Sequence, residues 1–128
     1  MSRFALVCGG VAVAAALAAG CGGKPAHAVN PDTARQTLRA ALDAWKAGEK
    51  PDDLKQHSPP VVVQDFDWQG GARLVDYQVL GDGDCMDANL RCPVRLTLRD
   101  ARGQAAQKEV VYLVGTSPQL TVFREVLP

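Results

Sequence analysis

Residues 93–100 read PVRLTLRD, and this short stretch decides the fold that we predict for the chain. Its apolar residues Val94, Leu96 and Leu98 stand at every second position, with polar residues between them. An alternation of period two is typical of a strand that buries one face and exposes the other. The stretch therefore predicts a half-buried strand, and the segments around it should supply its partners.

The flanking segments carry related patterns and are separated by short turns. Residues 72–80, ARLVDYQVL, alternate in the same way, whereas residues 108–114, KEVVYLV, are apolar on both parities and predict a central strand. The chain closes with LTVFREV at 120–126. Four strands joined by short turns predict an antiparallel meander. A further strand in VVVQDFDW, at 61–68, follows two prolines and is predicted to lie at an edge.

An amphipathic helix precedes these strands. Asn30 and Pro31 are typical of the cap and first position of a helix, and Asp32 suits the positive end of the helix dipole. One face of the segment is apolar at helical spacing and should lie in the core, with Ala34, Leu38, Ala41, Leu42 and Trp45. A second, short helix is predicted to begin at Pro51. The sequence thus predicts an α+β fold, in which the N-terminal helix packs on a curved four- to five-stranded antiparallel sheet.

The N-terminus is typical of a secretory signal. Arg3 provides a short basic start, and residues 4–19 form an apolar run that ends in small residues before Cys21. A membrane span is the alternative, because about 18 apolar residues can cross a bilayer. Alanine and glycine dominate the run, however, and the small residues favour a cleavage site.

The stretch Leu17-Ala18-Ala19-Gly20-Cys21 resembles the lipobox of bacterial lipoproteins. The resemblance implies cleavage before Cys21 and acylation of that cysteine with diacylglycerol on sulfur and usually a third chain, such as palmitate, on the amine. Ala18 stands where leucine is commonest in the family, so ordinary cleavage after Ala18 remains the alternative. Two glycines follow Cys21 in place of the aspartate that retains Gram-negative lipoproteins at the inner membrane, which favours the outer membrane if the source has one.

This resemblance divides the chain into three parts. Residues 1–20 are predicted to be a signal peptide, residues 21–29 a lipidated cysteine with a flexible tether, and residues 30–128 a single α+β domain. Two or three acyl chains hold a protein stably on a bilayer where one does not. We therefore expect a lipid-anchored protein of the cell envelope that faces the periplasm, with the bilayer as its first partner.

The stretch GDGDCMDANLRCPV, at 81–94, raises three interpretations: a metal loop, a redox-active thiol pair or a stapled turn. Cys8 lies in the signal and Cys21 carries lipid, so Cys85 and Cys92 are left in an oxidising compartment. Six residues separate them, which is not the C-x-x-C spacing of redox and zinc sites. The sequence therefore predicts a structural disulfide between Cys85 and Cys92.

The same stretch is rich in oxygen ligands of the kind that calcium prefers, namely Asp82, Asp84, Asp87 and Asn89. Their spacing resembles the start of an EF-hand, but the required glycine and the closing glutamate are missing. Aspartate, asparagine and glycine are also the usual residues of a long hairpin turn. We expect solvated turn residues and neither a metal nor a cofactor, with calcium as the weaker alternative.

Helix, short helix and curved antiparallel sheet, in that order over residues 31–127, are similar to the cystatin-like roll of the nuclear transport factor 2-like superfamily. That resemblance implies a pocket on the concave face of the sheet, which members use for small ligands or for catalytic Asp, His or Tyr side chains. The residues that could line it here are Asp65, Asp67, Trp68, Tyr77 and Tyr112. We assign no catalytic residue, because none of them forms a recognisable acid–base pair in the sequence.

Composition narrows the classes of function that are compatible with the chain. The chain of 128 residues balances 14 basic against 14 acidic residues, so it lacks the basic excess of a nucleic-acid-binding protein. We predict a small, non-catalytic binding or accessory domain for a protein or small ligand of the envelope. The alternative is a pocket enzyme or small-ligand binder of the nuclear transport factor 2-like type, so the question of enzymatic activity stays open.

Overall fold

The computed structural model of the protein describes residues 28–126. The predicted signal peptide, Cys21 and most of the predicted tether lie outside these residues. Helix α1 spans Pro31–Lys46, a 3₁₀ helix spans Pro51–Gln56, and helix α2 spans Phe66–Gln69. The strands are β1 (Val61–Gln64), β2 (Arg73–Val79), β3 (Asp84–Met86), β4 (Asn89–Arg99), β5 (Ala105–Gly115) and β6 (Leu120–Arg124).

Helix α1 begins where the sequence predicts. The side-chain oxygen of Asn30 accepts a hydrogen bond of 3.1 Å from the backbone N–H of Thr33, and Pro31 occupies the first turn. The predicted apolar stripe is buried, and Trp45 is only 3 % exposed. The Trp45 indole also donates a 2.8 Å hydrogen bond to the carbonyl of Ala72, just before β2. The buried apolar face of the helix and the hydrogen bond from Trp45 therefore both hold the helix on the sheet.

The sheet curls around α1 with the strand order β1-β6-β5-β4-β2, and β3 pairs with β4. Strands β4 and β5 are its long antiparallel centre, paired from Asn89↔Gly115 to Arg99↔Ala105. Residues of even number on β4 face inward, so Val94 and Leu96 are fully buried beneath α1. The alternation at 93–100 therefore correctly predicts a half-buried strand, and the α+β class is confirmed.

The prediction of a purely antiparallel sheet is wrong, because β1 runs parallel to β6 with Val61 opposite Leu120. Parallel neighbours need a long crossover connection, and here the connection contains α2 and four strands. The chain thus returns at its end to fill the gap between β1 and β5. Alternation within a segment encodes which face is buried, but it does not encode which distant strand will lie alongside.

The predicted strand at 61–68 is also too long, since β1 ends at Gln64 and α2 follows. The side chain of Asp65 is the reason. Its Oδ1 accepts hydrogen bonds from the backbone N–H groups of Asp67 at 2.9 Å and of Trp68 at 3.2 Å, which caps a single helical turn. The turn carries Trp68 inward, where its ring stacks on Trp45 with centroids 5.1 Å apart.

Residues 81–94 form a hairpin of β3 and β4, in which Cys85 lies opposite Leu90. Cys85 is exposed, Cys92 is buried, and both are free thiols, so the predicted disulfide is not formed in this structure. The register explains this, because Cys92 lies two residues further along β4 than Leu90. Gly83 lies against Cys92 instead: a Cβ at Gly83 would stand 3.1 Å from the Cys92 sulfur. Bridging the two cysteines would require β3 to slide by two residues.

Candidate functional site

The five predicted pocket residues separate into two groups. Asp65, Asp67 and Tyr112 converge where the end of β1, helix α2 and the middle of β5 meet. Trp68 and Tyr77 lie elsewhere, at the Trp stack and beside α1 respectively. The convergent group forms the candidate site. It contains one further residue, Arg124, which the sequence did not predict.

Asp65 is the centre of the group. It is 1 % exposed, and its carboxylate caps α2 through two backbone N–H groups, as described above. The Tyr112 hydroxyl donates a short hydrogen bond to its Oδ2. The Nη1 of Arg124 lies 2.9 Å from Oδ1 and 3.0 Å from Oδ2 of the same carboxylate. Asp65 therefore ties β1, α2, β5 and β6 together through a single side chain.

Arg124 is the residue that sequence reasoning missed. It lies on β6 opposite Tyr112, and its side chain is 3 % exposed. Besides Asp65, it binds Asp67 through Nη2, so one guanidinium joins two carboxylates. The strand LTVFREV contained a signal for this arrangement. Arg124 has the same parity as the buried Val122, which places a charge on the inward face and requires a buried partner.

Burial and charge shift the pKa values in this cluster in definite directions. Burial, followed by the negative charge of the Asp65 carboxylate and its hydrogen bond, raises the pKa of Tyr112 above its ordinary range. Burial by itself would raise the pKa of Asp67, but the bonds and charges of Arg124 and Lys108 outweigh it and lower that pKa. Burial likewise opposes the charge on Arg124, yet its bond to Asp67 and the charge of Asp65 raise its pKa. Asp67 and Arg124 are therefore paired as opposite charges at neutral pH, and the Tyr112 hydroxyl stays protonated.

The outer side of the cluster is covered by Phe66 and Lys108. The guanidinium carbon of Arg124 lies 4.3 Å from the centroid of the Phe66 ring, within the range of a cation–π contact. The Lys108 ammonium lies 3.0 Å from the carboxylate of Asp67. Phe66 nevertheless remains 55 % exposed, which is unusual for a large apolar side chain next to a buried site.

An open groove of about 310 Å³ begins at the exposed Phe66 ring. Its walls come from α2, the middle of β5 and the segment that follows β6, with Phe66, Glu109, Val110, Val111, Arg124, Glu125 and Val126. Val126 is 76 % exposed. The groove therefore presents apolar side chains to solvent directly above the ionic cluster.

A second cavity, of about 330 Å³, lies at the other side of α2 beside Trp45 and Trp68. The Trp68 indole donates a 2.8 Å hydrogen bond to the carbonyl of Glu49, and both rings are almost fully buried. Three basic residues, Lys46, Lys50 and Arg73, and the acidic Glu49 contribute the charged part of the lining. This cavity shares Trp68 with the predicted pocket but none of its acidic residues.

Tyr77 takes no part in either cavity. Its hydroxyl donates a 2.7 Å hydrogen bond to the carboxylate of Asp43 on α1. Burial, followed by the bond to Asp43 and its charge, raises the pKa of Tyr77 to about 12. The residue therefore fastens the edge strand β2 to the helix.

The weak calcium candidates lie along the β3–β4 hairpin. Asp82, Asp84 and Asp87 are exposed, and the side-chain oxygen of Asn89 lies against Gly115 on β5. Asp87 has φ of 55°, the left-handed conformation of a tight turn. Among residues 28–126, no three His, Cys, Asp or Glu side chains come together in a way that could hold a metal ion.

The fold and site together define a small α+β domain in which a mixed sheet wraps one helix and is locked by a buried ion cluster. No family model, curated protein or solved structure matches the chain. In the part of the chain that the structure describes, no helix has the length and hydropathy needed to span a membrane.

Proposed function

We propose that the chain is a lipid-anchored envelope protein whose α+β domain is a non-catalytic binding module for another envelope protein. One observation carries the proposal. Asp65 and Asp67 are both bound to Arg124 and the Tyr112 hydroxyl donates to Asp65, whereas the groove above this cluster is open and mostly apolar. The charged side chains thus hold the domain together, and the accessible surface is an apolar groove, which suits the binding of another protein.

Catalysis by the cluster is disfavoured on physical grounds. A general acid or base has to come within hydrogen-bond distance of a substrate proton. Asp65 and Tyr112 are each 1 % exposed, so a substrate would have to displace Arg124 to reach them. The raised pKa of Tyr112 also keeps its hydroxyl protonated at neutral pH, where it cannot accept a proton.

The anchor is supported by the lipobox at 17–21. We expect the mature N-terminus to be an acylated Cys21, so intact-mass analysis should detect acyl chains on it, and detergent should be needed to extract the protein from membranes. A Cys21→Ser variant should lose both the acyl mass and the membrane association. The matched control is Cys8→Ser, which lies within the signal and should change neither. Equal membrane association of both variants would contradict the anchor.

The binding role is tested by photo-crosslinking in the envelope of intact cells. A photoreactive residue at position 66 replaces the exposed Phe66, and the control places it at Met86, which is 50 % exposed on the far hairpin. We expect a discrete adduct with one envelope protein from position 66 and none from position 86. Absence of any adduct, or identical adducts from both positions, would speak against a binding module at this surface.

The cavity beside the two tryptophans is the observation that favours the alternative, a small-ligand binder. Lys46, Lys50 and Arg73 in its lining outnumber the single acidic residue Glu49 and would suit a small anion. Binding there should quench tryptophan fluorescence, and Lys50→Ala should weaken it while leaving crosslinking from position 66 intact. The binding module remains the better supported function, because both indole N–H groups are already bonded to backbone carbonyls.

A further inference from the structure

Strand β5 is paired along its whole length on one side but only in part on the other. Strand β4 pairs with every residue of β5, whereas β6 pairs with the segment from Tyr112 to Gly115. The backbone N–H of Glu125 adds one more bond, 2.8 Å, to the carbonyl of Val111. Within residues 28–126, no strand covers the open side of residues 105–110.

The alternation of the backbone identifies the groups that face this open side. Since the carbonyl of Val111 points towards β6, the residues two, four and six positions earlier point the same way. These are Glu109, Gln107 and Ala105. Their N–H and C=O groups are left for water or for a further strand, which is the definition of an open sheet edge.

The apolar groove lies in line with this edge, at the point where β6 ends. Its exposed apolar surface comes from Phe66 and Val126, and the half-buried Val110 lines it beside them. Its charged residues are all paired within the domain: Glu109 with Arg95 at 2.9 Å, Glu125 with Arg91 at 3.0 Å, and Arg124 with Asp65. The groove therefore offers apolar contacts and backbone hydrogen bonds, but it has no unpaired charge to attract a charged ligand.

We propose that an extended, uncharged segment of the partner protein adds as a strand to β5 at residues 105–109. This proposal rests on the binding role proposed above. Backbone hydrogen bonds to Gln107 and Glu109 hold the segment, and its apolar side chains at alternate positions enter the groove over Phe66. A second copy of this chain is a poorer occupant. The edge segment of a second copy, residues 105–109, reads AAQKE, so it carries charges and offers no large apolar side chain to the groove over Phe66.

The test uses a substitution that blocks the edge without disturbing the sheet. Gln107 lies opposite Thr97 on β4, and its N–H faces the open side, so Gln107→Pro removes an edge donor but no bond to β4. Gln107→Ala is the matched control, because it shortens the side chain and keeps the N–H. The probe is a fluorophore-labelled, blocked peptide of alternating valine and threonine. The same peptide with lysine in place of valine serves as its charged counterpart.

We expect the valine peptide to bind the full chain and Gln107→Ala alike, and to bind Gln107→Pro about tenfold or more weakly. The lysine peptide should not bind. In the wild-type chain the peptide should slow hydrogen exchange at the amides of Gln107 and Glu109, a measurement that stands even if the proline variant fails to fold. Equal binding by the alanine and proline variants, or unchanged exchange at these amides, would overturn the proposal. Self-association that protects the same amides would overturn it in favour of a second copy.

The two proposals can fail separately. An adduct from position 66 that survives Gln107→Pro leaves the binding module standing and removes strand addition at β5. Loss of that adduct in Gln107→Pro, with Gln107→Ala unaffected, supports both. If no envelope protein is captured while the peptide still binds at the edge, the groove recognises strands but the proposed envelope role is wrong.

Discussion

The guanidinium of Arg124 lies 2.9 Å and 3.0 Å from the two carboxylate oxygens of Asp65, and the two side chains are 3 % and 0 % exposed. Removing two charges from water is costly, and the cost is recovered only when the geometry and the additional hydrogen bonds are good. Here the backbone of α2, Tyr112 and Asp67 supply those additional bonds. The pair therefore specifies how the last strand docks between β1 and β5.

Breaking this pair should cost far more than breaking an exposed one. We expect Arg124→Met to lower the free energy of unfolding by about 3–5 kcal/mol, because it leaves the buried carboxylate of Asp65 without a cation and Asp67 with Lys108 alone. The matched control is Arg95→Met, which loses the exposed pair with Glu109 and should cost about 0–1 kcal/mol. Urea denaturation of the two variants provides the comparison. Similar losses for both would mean that the cluster does not hold the sheet together.

Acid should weaken the protein through Asp67. Its pKa is lowered in the folded state, so its contribution to stability is fully present above the unfolded value near 3.8 and disappears as the pH falls through the lower folded value. Asp67→Asn should therefore flatten the dependence of unfolding free energy on pH below about pH 4. Asp52→Asn removes an exposed carboxylate on the 3₁₀ helix and is the control for the loss of one negative charge. Identical acid profiles for the wild type and Asp67→Asn would contradict the assignment.

High pH should lower the stability of the fold through the two tyrosines of the chain. Both pKa values are raised on folding, that of Tyr77 to about 12 and that of Tyr112 still further. A group with a raised pKa stabilises the fold below the unfolded value of about 10, and this stability is lost as the pH rises above it. The tyrosinate absorbance of the folded protein should stay flat through pH 10 and then rise together with unfolding. The variant Tyr112→Phe keeps Tyr77 as its one tyrosine. If the tyrosinate absorbance of this folded variant rose near pH 10, Tyr77 would not be bonded to Asp43.

Local signals allowed the helix and most strands to be predicted. The cap at Asn30 and the stripe that ends at Trp45 predict α1, because a helix is decided within its own residues. Alternation at 93–100 predicts β4 for the same reason. The parallel pairing of β1 with β6 is not local, since four strands lie between residues 61 and 120 along the chain.

The residues of the candidate site also divide into those that the local sequence predicts and those that depend on distant contacts. Asp65 and Tyr112 could be named from the sequence as polar residues on or near strands, but Tyr77 was grouped with them although it bonds to α1. Arg124 and Phe66 were missed because their importance depends on contacts across 57 and more residues of chain. An inward-facing arginine on a buried strand is the one signal in the sequence that could have revealed the cluster.

The cysteines of the β3–β4 hairpin should differ in reactivity. In a chain with Cys8→Ser and Cys21→Ser, only Cys85 and Cys92 remain. Cys85 is exposed and should react with a thiol reagent in the folded protein, whereas Cys92 is buried, its pKa is raised by that burial, and it should react only on unfolding. Mass spectrometry of the labelled protein counts the modified thiols in each state. Absence of labelling in both states without reductant would mean that β3 slides by two residues and that the disulfide predicted from the sequence forms after all. Two labels in the folded protein would instead mean that the hairpin opens and that Gly83 does not shield Cys92.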